Sequence, residues 1–274
     1  MDKNIFKVKG TYVNGEWFNS KNRYDVFNPA NGEKLSDVPI SDNKELELAV
    51  ESAKKAQLVW AKTSLIERAA ALEKLAKKIL EKEEEFALID SYDSGNALTG
   101  MRKDVKETVN NIRYFCGLVR EVKGETFSME KNHLNFTRYQ PYGVVLKINP
   151  FNHPFRFCVE KIAAPLLMGN SLIIKNSEQA PISSLRFCEL LEGIFPKGLI
   201  NVVTGGPENG KYLVEHPDIK RIAVIGSVNT GIAIAKGAAP LLKNVSLELG
   251  GKNPIIVFDD ADPDFAAGLA IKGM

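Results

Sequence analysis

The stretch GVVLKINPFNHP, residues 143–154, decides the fold class of this 274-residue chain. An apolar run of strand length is followed by a turn with two prolines, and the next residues are typical of a helix. Later segments repeat this order, so strand candidates alternate with helices; the candidates are Val144–Ile148, Ser171–Lys175, Ile200–Thr204, Ile222–Ile225 and Ser246–Leu249. Because parallel strands need crossover connections, the alternation predicts an α/β protein with a Rossmann-like parallel sheet and helices on both faces.

The first 120 residues show a different pattern, which predicts short strands and then several helices. Asn14-Gly15 between two apolar pairs is a strong hairpin signal. Asp42 is an N-cap candidate for a helix that runs to about Trp60, and a second amphipathic helix follows from Ser64. We expect an N-terminal helical layer here, and its residues indicate no function.

Composition excludes several classes of partner. Hydrophobic residues make up 44% and charged residues 26%, and the net charge of +2 is spread along the chain, so neither nucleic acid nor an anionic membrane is an expected partner. No segment approaches the roughly 18 apolar residues of a spanning helix, and the N-terminus lacks a signal-peptide core. The three cysteines and three histidines show no metal-ligand spacing. We therefore expect no metal site and a reducing, cytoplasmic location.

The residues that follow each strand are the candidate site, because ligands of parallel sheets bind at the carboxyl ends of the strands. Thr204–Gly210 and Gly226–Gly231 are glycine-rich turns that open helices. Such turns present free backbone N–H groups and the positive end of a helix dipole, which suits a phosphate. Either turn alone is weak evidence, since similar turns occur in many α/β proteins.

Taken together and in this order, the turns resemble those of the aldehyde dehydrogenase superfamily, and the resemblance covers almost the whole chain. It rests on PFNHP (150–154, a variant of the family's PWNFP), KNSEQAP (175–181), the GSxxxG turn (226–231), LELGGKNP (247–254) and IVFDDADPDFA (256–266). The resemblance implies an NAD(P)-dependent enzyme that oxidises an aldehyde to a carboxylic acid through a cysteine thiohemiacetal and a thioester.

Two residues match the family's catalytic groups. Asn152 matches the asparagine whose side-chain amide holds the oxyanion of the tetrahedral intermediate; the alternative is an asparagine that only caps a turn between prolines. Glu248 matches the carboxylate that activates the hydrolytic water. Since Leu247 and Leu249 flank it, we expect Glu248 to be partly desolvated; the alternative is a solvent-exposed glutamate on a strand face.

The resemblance also implies the cofactor contacts. Lys175 and Glu178 match the pair that contacts the adenosine ribose, and a glutamate there repels a 2′-phosphate. NAD⁺ is therefore the predicted cofactor, and NADP⁺ is the alternative because some relatives accept both. The other residues assigned to the cofactor site are Gly206, Gly210, Gly226, Ser227, Gly231 and Leu249.

Three residues on the helix after Asn152 have weaker assignments. Lys161 lies where the family often has a lysine near the catalytic glutamate, and Phe157 and Glu160 lie where the family's substrate tunnel is lined. An acidic Glu160 favours a polar or cationic aldehyde. The alternative for both charged residues is a solvated group on a helix surface, which is the commoner situation of a helix glutamate.

The expected organisation is an NAD(P)-binding domain over residues 1–253 and the start of a catalytic domain over residues 254–274. A protruding hairpin arm at about 130–145 resembles the family's oligomerisation arm. The expected partners are a small-molecule aldehyde and, in a full-length form, further copies of the chain.

The nucleophile is the missing part of the resemblance. The family's cysteine lies a few tens of residues beyond the glutamate, where this sequence has already ended, and Cys116, Cys158 and Cys188 lie in apolar contexts that do not activate a thiol. One interpretation is a truncated aldehyde dehydrogenase, which we favour because the last residues are in an apolar helix. The other is a free-standing, non-catalytic dinucleotide-binding or scaffolding protein. Glu248 favours hydrolytic oxidation over CoA-acylating or reducing relatives.

Overall fold

A computed structural model describes residues 3–273, with side chains through Ile271. The strands are β1 (Thr11–Val13), β2 (Glu16–Phe18), β3 (Arg23–Phe27), β4 (Lys34–Pro39), β5 (Thr126–Phe127), β6 (Asn135–Phe136), β7 (Val144–Ile148), β8 (Ser171–Lys175), β9 (Ile200–Val203), β10 (Ile219–Gly226) and β11 (Asn244–Leu249). The α-helices are α1 (Asn43–Trp60), α2 (Leu65–Glu81), α3 (Glu83–Ser94), α4 (Leu98–Leu118), α5 (Pro154–Val159), α6 (Ala163–Leu167), α7 (Ile182–Phe187), α8 (Pro207–Glu215), α9 (Val228–Ala238) and α10 (Pro263–Gly273).

The predicted parallel sheet is confirmed, with the strand order β11-β10-β7-β8-β9-β1-β2. The five strands from β11 to β9 are mutually parallel. The chain moves outward from β7 to β9 and then returns to place β10 on the other side of β7. This reversal makes a topological switch point between β7 and β10, where ligands of such sheets bind.

The predicted hairpin forms, and it extends the sheet. Asn14 and Gly15 have φ angles of 54° and 76°, which suit a two-residue turn with both central residues left-handed. β1 pairs antiparallel with β9 through Tyr12 and Val202. Turn chemistry predicts the hairpin, but it does not reveal which strand the hairpin joins, so the mixed edge of the sheet was not expected.

Helices cover both faces of the sheet, as predicted. Alternate residues of β8 divide between two cores, because successive side chains of a strand point to opposite faces. Leu172 and Ile174 pack with residues of α2 to α7, whereas Ile173 packs with α1, α8 and α9. The predicted N-cap of α1 is also present, since the Asp42 side chain accepts a hydrogen bond of 2.9 Å from the Glu45 N–H.

The helix after Asn152 is shorter than the sequence pattern predicts. Periodicity indicates one helix over about 155–168, but α5 ends at Val159 and a 3₁₀ turn over residues 160–162 precedes α6. Pro165 has no N–H to donate to the Lys161 carbonyl, and in a continuous helix its ring would clash with that carbonyl. The helix is therefore interrupted before Pro165. Buried Lys147 donates from Nζ to the carbonyls of Phe157 (2.9 Å) and Cys158 (3.2 Å).

The exposed ribbon also differs in its position. We placed the arm at about 130–145, whereas the paired strands are β5 and β6, all of whose residues are exposed. Val144 is the buried first residue of β7. In the segment that we assign to the start of a catalytic domain, residues 254–262 form no strand, and Ile256 and Phe258 are 74% and 72% exposed. Among the described residues, 3–273, none of the helices is both long enough and apolar enough to cross a membrane.

Candidate active site

A cleft of about 780 Å³ lies at the switch point between β7 and β10. Its lining combines the turns after three strands, β7, β8 and β10, with residues of α8 and α9. Five of the predicted cofactor residues line it, namely Lys175, Glu178, Gly210, Gly226 and Ser227. A volume of this size is within the range of small-molecule and cofactor sites.

Lys175 and Glu178 form an ion pair at the end of β8. Lys175 Nζ lies 3.2 Å from Glu178 Oε2, and the Lys175 side chain is 8% exposed while that of Glu178 is 44% exposed. The lysine therefore has few orientations available, whereas the carboxylate faces the open cleft. This arrangement can accept hydrogen bonds from vicinal hydroxyls and disfavours a second anion nearby.

The first turn of α9 lies in the same cleft. Ser227 caps this helix by accepting a hydrogen bond of 3.2 Å from the Thr230 N–H. The remaining free N–H groups and the helix dipole give this end of the cleft a positive potential.

The remaining predicted cofactor residues lie outside the cleft lining. Gly231 is buried against β11, where a Cβ would lie 2.6 Å from Leu249. Glycine at 231 thus allows α9 to pack closely on β11. Gly206 is the N-cap of α8. The roles assigned to Gly206, Gly231 and Leu249 stay predictions.

Asn152 lies in the turn between β7 and α5, exposed at the edge of the cleft next to Phe151, which lines it. Residues 152, 153 and 155 are each held by the N-terminal helical layer. Asn96 Nδ2 donates to the Asn152 carbonyl at 2.5 Å, Asp104 Oδ2 lies 2.5 Å from His153 Nδ1, and Asp90 Oδ2 accepts from the Phe155 N–H at 2.9 Å. Sequence reasoning assigned no function to this layer, yet its residues fix the turn that contains Asn152.

Asp90 and Asp93 form a pair of helix caps on α3. Asp93 Oδ2 accepts from the Ile182 N–H of α7 at 2.9 Å, just as Asp90 caps α5. Burial raises the pKa of Asp90 to about 7 and also raises that of Asp93 well above its ordinary value. One helix therefore orients the two helices that begin after β7 and β8.

Glu248 lines a second cavity of about 560 Å³ together with Lys161 and Lys147. Lys161 Nζ lies 3.2 Å from Glu248 Oε1, and the Glu248 side chain is 62% exposed. The expected partial desolvation of Glu248 is absent, because nothing in the described residues covers this face of β11. Lys147 is different: burial lowers its pKa to about 8. Sequence reasoning missed Lys147; the signal that could have identified it is a single lysine within the otherwise apolar strand β7.

The three cysteines are buried, and none of them lines either cavity. Burial raises the pKa of Cys116 and of Cys158 to about 11 and that of Cys188 well above the ordinary range. A thiol in such surroundings stays protonated and unreactive at neutral pH. This agrees with the prediction that none of them is a nucleophile.

Comparison with known proteins decides the family. A model described as the aldehyde dehydrogenase family matches residues 17–274. The chain belongs to the aldehyde dehydrogenase family. The resemblance predicted from the turn motifs is confirmed.

Curated relatives within the family are 37% identical to the chain. They include aldehyde dehydrogenase tropH of Talaromyces stipitatus, matched over 96% of this chain and 52% of the relative, and hydroxyisobutyraldehyde dehydrogenase of Mycolicibacterium austroafricanum, matched over 96% and 53%. The chain thus spans about half the length of the curated relatives it matches.

Solved structures of the family share the fold. Betaine aldehyde dehydrogenase of Staphylococcus aureus, in complex with NAD⁺, has 34% identity and a TM-score of 0.92 over 97% of this chain and 54% of that one. A 3,6-anhydro-L-galactose dehydrogenase in complex with NAP has 32% identity and a TM-score of 0.91, covering 97% of this chain and 56% of that one.

Proposed function

We propose that this chain is the nucleotide-binding part of an NAD(P)-dependent aldehyde dehydrogenase that oxidises an aldehyde to a carboxylic acid. The observation that carries the proposal is the position of Asn152 beside the cleft at the switch point of the sheet. A dinucleotide and an oxyanion donor would then meet at one edge of the fold. The complexes of family members with NAD⁺ and NAP support it.

The cleft fits a dinucleotide by its own chemistry. The Lys175–Glu178 pair suits ribose hydroxyls, and the first turn of α9 behind Ser227 suits a pyrophosphate. Glu178 favours NAD⁺ over NADP⁺, because its carboxylate repels a 2′-phosphate. When bound, the nicotinamide ring accepts the hydride that leaves the aldehyde carbon.

Asn152 would stabilise the oxyanion that forms when a thiolate adds to the aldehyde. Asn96 holds its carbonyl, and Asp104 and Asp90 hold His153 and Phe155 farther along the same turn, so the backbone at Asn152 is fixed before the substrate arrives. An oxyanion donor that is already oriented needs little reorganisation in the transition state, and this is the basis of its effect.

Glu248 would take a proton from the water that hydrolyses the thioester. Its carboxylate lies in an ion pair with Lys161, which orients it. In the longer protein, a second domain over this face would exclude bulk water from Glu248 and leave the hydrolytic water in contact with it. We assign residues 254–274 to the start of that domain.

The nucleophile must come from outside these 274 residues, since all three cysteines are buried. The chain alone would therefore act as a dinucleotide-binding protein, which is also the alternative function. We further propose that a full-length form is cytoplasmic and associates with copies of itself through the exposed β5–β6 ribbon.

The test is aldehyde oxidation by the longer protein that supplies the cysteine. NADH formation and the carboxylic acid product are measured with wild type, Asn152→Ala and Glu248→Gln. We expect Asn152→Ala to slow acylation by about 10²–10³-fold, and Glu248→Gln to accumulate the thioester. The absence of acid product from the wild type, or full activity in both variants, contradicts the proposal.

A further inference from the structure

Two helix faces meet directly beside Asn152, and both are polar. Each face contributes residues at the i, i+3 and i+7 spacing that places side chains on one side of a helix. α4 contributes Asp104, Glu107 and Asn111. The other three residues are His153 at the N-cap of α5, Arg156 within α5 and Glu160 in the turn after it. We call these six residues the polar face.

Arg156 is the centre of the polar face. Its Nη1 lies 2.7 Å from Glu107 Oε2 and 3.1 Å from Asp104 Oδ1, and its Nε donates to Glu160 Oε2 at 2.6 Å. Asn111 Nδ2 donates to the other oxygen of Glu160 at 2.8 Å. The side chains are therefore fixed by one another before any ligand binds.

The charges of the polar face do not balance. Three carboxylates surround one guanidinium, and His153 adds at most one further positive charge, so the face is negative in either protonation state of the imidazole. Asp104 and Glu160 are nearly buried, whereas His153, Arg156 and Glu107 are exposed at 37%, 32% and 37%. These three present the polar face to a ligand.

The polar face lies where the rest of an aldehyde must lie. The carbonyl oxygen of a substrate has to come within hydrogen-bond distance of the Asn152 amide. The cofactor cleft adjoins Asn152 through Phe151, and its lining includes none of the six residues. With the cleft occupied by a dinucleotide, the exposed side chains of His153 and Arg156 form a surface next to Asn152 that stays open to the substituent on the aldehyde carbon.

We propose that the polar face selects aldehydes whose substituent carries hydrogen-bond donors, either hydroxyl or ammonium groups, and rejects apolar and anionic ones. This inference rests on the proposed function. An apolar substituent would desolvate charged groups without replacing their hydrogen bonds. A carboxylate or phosphate would compete with three existing carboxylates for Arg156, with net repulsion.

The test compares four aldehydes of similar size in the longer protein that supplies the cysteine: butanal, 3-hydroxypropanal, 3-aminopropanal and succinate semialdehyde. We expect kcat/KM for the hydroxy and amino compounds to exceed the other two by about tenfold or more, the ratio that one charge-assisted hydrogen bond supplies. Comparing 3-hydroxypropanal with 3-aminopropanal shows whether the polar face prefers a neutral hydroxyl donor or a cationic ammonium donor.

Glu107→Gln tests whether the polar face is responsible. Removing its charge should lower the ratio of kcat/KM for 3-aminopropanal to that for 3-hydroxypropanal by about threefold. The effect is this small because Glu107 is partly exposed and its charge is screened by solvent. Glu51→Gln is the matched control, since this exposed residue of α1 loses the same charge away from Asn152 and should leave the ratio unchanged.

The outcomes separate this inference from the proposed function. Equal or faster oxidation of butanal or succinate semialdehyde, or an unchanged ratio in Glu107→Gln, overturns the assignment of the polar face while the enzyme remains an aldehyde dehydrogenase. No turnover of any of the four, in a protein that binds NAD⁺, overturns the proposed function and this inference with it.

Discussion

Asp90 on α3 accepts a hydrogen bond of 2.9 Å from the backbone N–H of Phe155, three residues after Asn152. A fully buried carboxylate thus fixes the start of α5. Burial raises the pKa of Asp90 from 3.8 to about 7, although the hydrogen bond from the Phe155 N–H favours the ionised form.

This relationship predicts how stability depends on pH. Between about pH 4 and pH 7 the folded chain keeps a proton on Asp90 that the unfolded chain has released. The free energy of unfolding should therefore fall as the pH rises through this window, and the raised pKa of Asp93 acts in the same direction. Asp90→Asn should make the dependence shallower, as measured by urea unfolding at several pH values. An unchanged slope, equal to that of the exposed control Asp259→Asn, contradicts this explanation.

A second prediction concerns Asp104, which contacts His153 and Arg156. Its side chain is 7% exposed, so Asp104→Ala removes a nearly buried acceptor of two charge-assisted contacts and should lower the free energy of unfolding by about 1–3 kcal/mol. Glu107→Ala removes a more exposed partner of Arg156 and should lower it by at most about 1 kcal/mol. Urea unfolding of both variants gives the comparison. If Glu107→Ala is the more destabilising, the burial argument is wrong.

The chain alone should not oxidise aldehydes. Without a thiohemiacetal the aldehyde carbon is a poor hydride donor, and loss of a nucleophile typically costs several orders of magnitude in rate. NADH formation with a panel of aldehydes is compared for the wild type and Cys158→Ala. Turnover that disappears in the variant identifies Cys158 as the nucleophile, against its burial; turnover in both contradicts the mechanism.

Association in solution is the fourth expected property. Ile256 and Phe258 are largely exposed in a segment without strand pairing, and the β5–β6 ribbon has exposed edges. We expect light scattering to report a mass that rises with concentration. Ile256→Ser together with Phe258→Ser should reduce the rise, and a wild-type monomer at high concentration would count against the prediction.

The fold was predictable from sequence because local patterns and packing agree. β8 is buried at every position, and its central residues 172–174 are apolar without alternation, as in strands covered on both faces. Turn residues mark the ends of these strands in the sequence. Since the carboxyl ends of parallel strands share one edge of a sheet, the sequence alone places Lys175, Glu178 and Ser227 together at that edge.

The contacts that hold Asn152 were not predictable in this way. Asp104 and Asp90 lie 49 and 65 residues from their partners, and no local pattern connects a helix cap to a helix so far along the chain. For Glu248 a local pattern was present but misleading, since its apolar neighbours in sequence suggested burial. Its exposure depends on what packs over β11, and the described residues leave its side chain 62% exposed.

The most direct test of the account is calorimetry of NAD⁺ and NADP⁺ binding to this chain. We predict that NAD⁺ binds more tightly, and that Glu178→Gln reduces the preference because repulsion of the 2′-phosphate is lost. Glu51→Gln, an exposed change of the same charge, should retain the wild-type preference. Equal affinity of the wild type for the two cofactors, or no binding of either, would contradict the assignment of the cleft.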